Sequence, residues 1–92
     1  MCYAIRPNEE QLLAEVRRKH RGDDLFVKQV TEGLQRLESS PYAYIRRIRK
    51  LPKGRYRYRH GRCRIIYRID EQERTVDILA IRPRDESTYR DL

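Results

Sequence analysis

Up to Ser39 the apolar residues recur every three or four positions, and beyond Pro41 they recur every second one. The chain therefore changes once from helical to strand periodicity. Met1–Ile5 is a short apolar, β-leaning stretch bounded by Pro7. Asn8 is placed to cap a helix, with Glu9 and Glu10 in the first turn and Gln11 at the third position. Leu12, Leu13 and Val16 make its apolar stripe, Arg17, Arg18 and Lys19 load its end, and Gly22 breaks it. Asp23 or Asp24 caps a second helix, in which Phe26, Val30, Leu34 and Leu37 are spaced by four, four and three, ending at Ser39-Ser40-Pro41. Two helices joined by so short a turn predict a helical hairpin.

After Pro41, Arg55, Arg57 and Arg59 alternate with Tyr56 and Tyr58, and His60-Gly61 reads as a turn. In the next strand, Arg62 to Ile69, one face carries Cys63, Ile65, Tyr67 and Ile69 and the other Arg64, Ile66 and Arg68. Asp70–Arg74 is a polar turn, Thr75–Ile81 a third strand, and Pro83 its stop, leaving the tail Arg84–Leu92. The order β-α-α-β-β-β predicts an α+β fold, with the helices on one face of a mainly antiparallel sheet. Ninety-two residues suit one domain spanning 1–92.

Charge changes this picture. Residues 39–69 hold eleven Lys/Arg and no acid, while the rest of the chain has a net charge of −3, so the whole positive excess of a +8 chain lies in one segment. Its basic residues are Arg46, Arg47, Arg49, Lys50, Lys53, Arg55, Arg57, Arg59, Arg62, Arg64 and Arg68. Arginine dominates, and its planar fork suits bidentate phosphate contacts, so a polyanion is the expected partner. Tyr42 and Tyr44, before Arg46, are candidates for stacking on bases; Tyr56 and Tyr58 divide between stacking and sheet packing, and Tyr67 is expected to pack. Cys2 and Cys63 are too far apart in sequence, and too few, to indicate a disulfide framework or a zinc site, so no metal or cofactor is expected. No apolar run is long enough to span a membrane, and the first residues lack signal-peptide order, which leads to the expectation of a cytoplasmic protein.

The string Tyr56-Arg57-Tyr58-Arg59-His60-Gly61-Arg62-Cys63-Arg64-Ile65-Ile66-Tyr67-Arg68-Ile69, set in this order of elements, resembles the RelE/ParE superfamily of toxin–antitoxin toxins. Arg57 and Arg59 match its first basic pair, Arg64 with Ile65-Ile66-Tyr67 the second motif, Arg84 the basic position after the last strand, and Tyr89 the terminal tyrosine. Three features depart from the pattern: Arg82-Pro83-Arg84 stands where many relatives have Gly-His-Arg, one more residue separates Arg84 from Tyr89, and Cys63 replaces a tyrosine.

The RelE-like branch of the resemblance implies a metal-independent, ribosome-dependent mRNA endoribonuclease that inhibits translation. In that chemistry a ribose 2′-OH attacks the adjacent phosphate. Arg57, Arg59, Arg64, Arg84 and Tyr89 are then the catalytic set, and Arg46, Arg47, Arg49, Lys50, Lys53, Arg55 and Arg68 the RNA-binding set. Guanidiniums stabilise developing phosphorane charge but stay protonated, so a base must come from elsewhere. Tyr89 is the candidate the resemblance implies, with Asp85, Glu86 and His60 as local substitutes. The implied partners are ribosome, mRNA and a small antitoxin with an acidic wrapping segment, forming a hetero-oligomer. Two other functions are compatible with the same residues: a ParE-like inhibitor of DNA gyrase without chemistry of its own, and a non-catalytic basic module binding nucleic acid or the ribosome.

Overall fold

A computed structural model describes residues 3–42 and 48–83. The elements are β1 (Ala4–Arg6), α1 (Glu9–Lys19), α2 (Asp24–Ser39), β2 (Ile48–Leu51), a single 3-10 turn (Pro52–Gly54), β3 (Arg55–His60), β4 (Cys63–Asp70) and β5 (Thr75–Pro83). The strands form one sheet in the order β1-β5-β4-β3-β2, with β1 parallel to β5 and every other pair antiparallel.

Both helices start where their capping residues place them. Asn8 Oδ1 accepts from Gln11 N at 2.9 Å, and Asp23 Oδ1, rather than Asp24, accepts from Phe26 N at 3.1 Å. Phe26, Val30, Leu34 and Leu37 of α2 are buried against one face of the sheet, where Tyr58, Cys63, Ile65, Tyr67, Val76 and Ile78 meet them. Full burial of a side chain of this kind contributes about 1.5–3 kcal/mol, so α2 supplies much of what holds the two layers together. A Cβ on Gly33 would stand 3.0 Å from Ile65 Cδ1, and the missing side chain is what lets α2 approach so closely.

Three expectations are corrected. An additional strand, β2, lies at the sheet edge where none was predicted; its four residues carry no alternation, and it exists by pairing with β3. His60 is the last residue of β3 and not part of a turn; it pairs with Cys63, leaving Gly61-Arg62 as the two-residue hairpin loop. Gly61 has φ +59°, and a Cβ there would collide with the side chain of Gln29, whose Oε1 accepts from Arg62 N at 2.9 Å. β5 runs on to Pro83 rather than ending at Ile81.

At the other end of the sheet, Glu71 joins three segments. Its Oε1 accepts from Tyr3 Oη at 2.8 Å and from Tyr42 Oη at 2.9 Å, and Arg74 lies over the Tyr3 ring at 4.5 Å. The two hydroxyl donors hold the Glu71 carboxyl below the ordinary carboxylate range. A depressed native pKa means the stabilisation is present above the unfolded value and lost as pH falls through the native one. Glu71→Gln should therefore melt below the wild type above about pH 5, with the gap closing below about pH 4. Melting temperatures across that range check this; a gap that persists unchanged in acid would contradict it.

Candidate nucleic-acid interface

The helices cover one face of the sheet, so the residues that alternate with the core all project from the other. Strand register sorts them into rows across the sheet. One row reads Arg6–Asp77–Arg68, with a carboxylate between two guanidiniums. Asp77 Oδ1 lies 2.7 Å from Arg6 Nε, and Asp77 Oδ2 accepts from Arg6 Nη2 at 2.9 Å, which holds Arg6 still more firmly protonated. The row at the opposite end reads Arg59–Arg64–Arg82, on β3, β4 and β5, with no carboxylate in it. Between the two, Arg49 opposes Arg57, which opposes Ile66 and then Ala80.

Ile66 is fully buried although it faces away from the helices and lies outside the helix-packed core. It forms an apolar floor beside Arg57. Burial, followed by the charges of Arg64, Arg49 and Arg59, lowers the pKa of Arg57 from its ordinary value, the signature of cations crowded on a partly desolvated surface. Among the described residues no carboxylate forms an ion pair with Arg49, Arg59 or Arg82.

The predicted site residues divide on this surface. Arg57, Arg59 and Arg64 come together as expected, and Arg49 joins them from β2. Lys50 does not: it pairs with Tyr56 and so lies on the helix side of the sheet, at its edge. Arg55 donates from Nε to Pro52 O at 3.0 Å, and Lys53 sits in the same turn with φ 64°; both stand at the strand-turn end of β3 rather than in the cluster. Arg68 is on the arginine face but in the row that Asp77 serves. Arg46, Arg47, Arg84, Tyr89, Tyr44, Asp85 and Glu86 lie outside the described residues.

His60 is corrected as a candidate base. It is buried on the helix side, stacked on Tyr58 with ring centroids 6.0 Å apart, and its Nε2 is 3.2 Å from Glu32 Oε1. The sheet separates it from Arg57, Arg59 and Arg64. Tyr58 and Tyr67 are core residues, and burial pushes the Tyr67 hydroxyl pKa up while it donates to Pro41 O at 2.8 Å. Tyr56 stacks on Tyr67 at 5.6 Å. Tyr42 packs edge-on against Tyr3 and Tyr56, and burial together with its bond to Glu71 pushes its pKa up to about 12. These contacts commit Tyr42 to the aromatic cluster at the helix side, away from the arginines. Cys63 is a buried thiol with its pKa pushed up to about 12 by desolvation, which makes it a packing residue.

Arg82, which the sequence does not single out, also lies on this face. Reading the strand as ending before Pro83 hid it; continuing the alternation one step past Ile81 puts Arg82 on the arginine face. Among the described residues no group of three or more His, Cys, Asp or Glu is placed to hold a metal ion, and no helix is long and apolar enough to cross a membrane.

Two helices on one face of a five-stranded sheet form a fold that this chain shares with chains solved in toxin–antitoxin complexes. The fold matches a chain in the RelBE2 toxin–antitoxin complex from Mycobacterium tuberculosis with a TM-score of 0.64 and 24% identity, over 91% of this chain and 100% of that one. It also matches a chain of the archaeal RelE–RelB complex from Pyrococcus horikoshii OT3, with a TM-score of 0.64 and 18% identity, over 95% of this chain and 100% of that one. At these identities the likeness is one of fold. No curated protein matches the chain in sequence. A family model described as the ParE toxin of type II toxin-antitoxin system, parDE, matches residues 6–88. The chain belongs to this family within the RelE/ParE superfamily, and it is a toxin of a type II toxin–antitoxin system.

Like charges directly opposed across strands destabilise a sheet by a few tenths to about 1 kcal/mol per pair. Arg59→Gln should accordingly raise folding stability by about 0.5 kcal/mol at low ionic strength, with the gain shrinking as salt screens the pair. Urea denaturation at low and high salt measures this, and a loss of stability in the variant would contradict it.

Proposed function

We propose that this toxin is a ribosome-dependent mRNA endoribonuclease that stops translation, in the manner of the RelE-like branch. The observation that carries the reading is the Arg59–Arg64–Arg82 row, three guanidiniums on adjacent strands with Arg57 and Arg49 beside them. Such a row costs folding stability and suits a ligand that brings several negative charges on one backbone.

In the reaction a ribose 2′-oxygen attacks the adjacent phosphorus, the bond to the 5′-oxygen of the next nucleotide breaks, and that oxygen takes up a proton, leaving a 2′,3′-cyclic phosphate and a 5′-hydroxyl. Negative charge rises on the non-bridging oxygens, and in this reading Arg57, Arg59 and Arg64 stabilise it. Arg49 and Arg82 extend the same surface and hold neighbouring phosphates. Guanidiniums do not take up the 2′-proton, and the described part of the arginine face offers no histidine or free tyrosine for that step. The proton transfer is assigned to Tyr89, the base the resemblance implies, since a phenol can ionise where a guanidinium cannot; Arg84 completes the catalytic set. Arg46 and Arg47 add contacts to the RNA or ribosome. The partner that neutralises this surface is a small antitoxin with an acidic segment, in a toxin–antitoxin hetero-oligomer, and the expected compartment is the cytoplasm.

The family match to ParE toxins favours a second reading, in which the toxin inhibits DNA gyrase without chemistry of its own. Mapping of mRNA ends after induced expression separates the two. Cuts in phase with codons, lost in Arg64→Ala and Tyr89→Phe while both variants remain folded, are the expected result. Removing one such cation should slow cleavage by about a hundredfold. Growth arrest with intact mRNA and inhibited supercoiling by purified gyrase would replace the nuclease reading with the second one.

A further inference from the structure

The sheet-face arginines are not the chain's only concentration of positive charge. Arg17-Arg18-Lys19-His20-Arg21 runs through the last turn of α1 and past it, with no acid between Val16 and Gly22. Cations in a last helical turn offset the helix dipole, which accounts for one or two of them. Two contacts bring this run to the arginine end of the sheet. Lys19 and His20 line a cavity of about 290 Å³ beside β5 together with Ile81 and Arg82, the last member of the Arg59–Arg64–Arg82 row. Asp23 Oδ2, just past the run, lies 3.5 Å from Nη2 of Arg62, in the loop between the strands that carry Arg59 and Arg64. Arg18 lines the next hollow along α1, with Leu12 and Glu15 common to both. Among the described residues no carboxylate forms an ion pair with Arg18 or Arg82, and Lys19 pairs only with Glu15, at 3.0 Å, with both side chains half exposed.

We infer that Arg18 and Lys19 form a second arm of the polyanion surface, which carries a single strand of RNA from the open sheet face past Arg82 and round the end of β5 onto α1. The inference rests on the sheet face being a polyanion site and adds to it a path for a longer ligand. Adjacent strands lie about 4.8 Å apart, so the three-arginine row spans about 10 Å and takes only a short stretch of backbone. At its Arg82 end the next cations are those of α1. The turn from sheet face to helix layer selects a flexible single strand, because a duplex is stiff over about 50 nm. His20 is held by packing on Phe26, ring centroids 4.6 Å apart, so the phosphate contacts fall to Arg18 and Lys19. Glu15 stands in the same hollows and opposes an anion there. Its exposed pair with Lys19 holds weakly, so Lys19 can exchange that carboxylate for a phosphate.

The test measures binding of the full-length toxin to oligouridylates of about four and about twelve nucleotides, within the usual range of single-strand site sizes, across a salt series. Changing Arg18 and Lys19 together to glutamine should make the slope of log K against log salt shallower by about 1.4 for the longer strand, two contacts at about −0.7 each, and leave the shorter strand unaffected. Glu15→Gln should tighten binding of the longer strand alone. Arg17→Gln removes a like charge from a position that lines neither hollow and should bind both strands as the wild type does. All four positions are exposed, so melting temperatures should stay close to that of the wild type. An unchanged slope for the longer strand in the double variant would overturn the inference. So would an equal loss in Arg17→Gln, which would reduce the arm to diffuse attraction, or an equal loss for the shorter strand. A failure of the sheet-face reading is distinct and would take this inference with it: the shorter strand would bind no better to the wild type than to a variant with Arg59, Arg64 and Arg82 changed to glutamine.

Discussion

Helix α2 lies so close to the sheet that Gly33 has room for no side chain without displacing Ile65, and this contact decides what the rest of the molecule presents. Once Phe26, Val30, Leu34 and Leu37 seal one face, every second residue of β3 and β4 is assigned to the core and its neighbours to the opposite side. A slip of one residue would put Arg57, Arg59 and Arg64 beneath the helix, at the large cost of burying unpaired charge. The arginine surface is thus held in place by the packing of the other face. Gln29 adds to this by binding the backbone of the β3–β4 turn, which sets the register that opposes Arg59 to Arg64.

The two ends of the exposed face are built on opposite electrostatic rules. Where β1 enters, Asp77 stands between Arg6 and Arg68 and the charges are largely balanced. At the other end the row set by strand register holds three arginines and no carboxylate of its own, and Arg57 is partly desolvated beside them. Nothing in folding requires the second arrangement, since a glutamate at any of these positions would relieve the repulsion. On a type II toxin, such a row suits the polyanionic target proposed for this face.

Much of this was legible in the sequence because it depends on local rules. The caps at Asn8 and Asp23, the four-four-three spacing of α2 and the alternation from Arg55 to Ile69 each report a local backbone preference or a buried face. What was not legible depends on pairing over long range. Ile48–Leu51 carries no strand signal of its own and becomes β2 only through β3. His60 precedes a glycine, as turn residues do, yet its ring is needed on the helix side against Tyr58. Arg82 was hidden by Pro83, which sits at the end of β5 rather than beyond it. The row that links Arg59, Arg64 and Arg82 is a property of register, and no single strand contains it. Nor does alternation foretell the register shift at Ile66/Tyr67.

The central claim is that the Arg59–Arg64–Arg82 face of the sheet is where this toxin meets a polyanionic target. The most direct measurement is the salt dependence of binding to a short single-stranded RNA, compared between the wild type and a variant with all three arginines changed to glutamine. Each phosphate contact contributes about −0.7 to the slope of log K against log salt for a single strand, so the variant's slope should be shallower by about 2. Equal slopes in the two proteins would contradict the account and place the charged contact elsewhere on the chain.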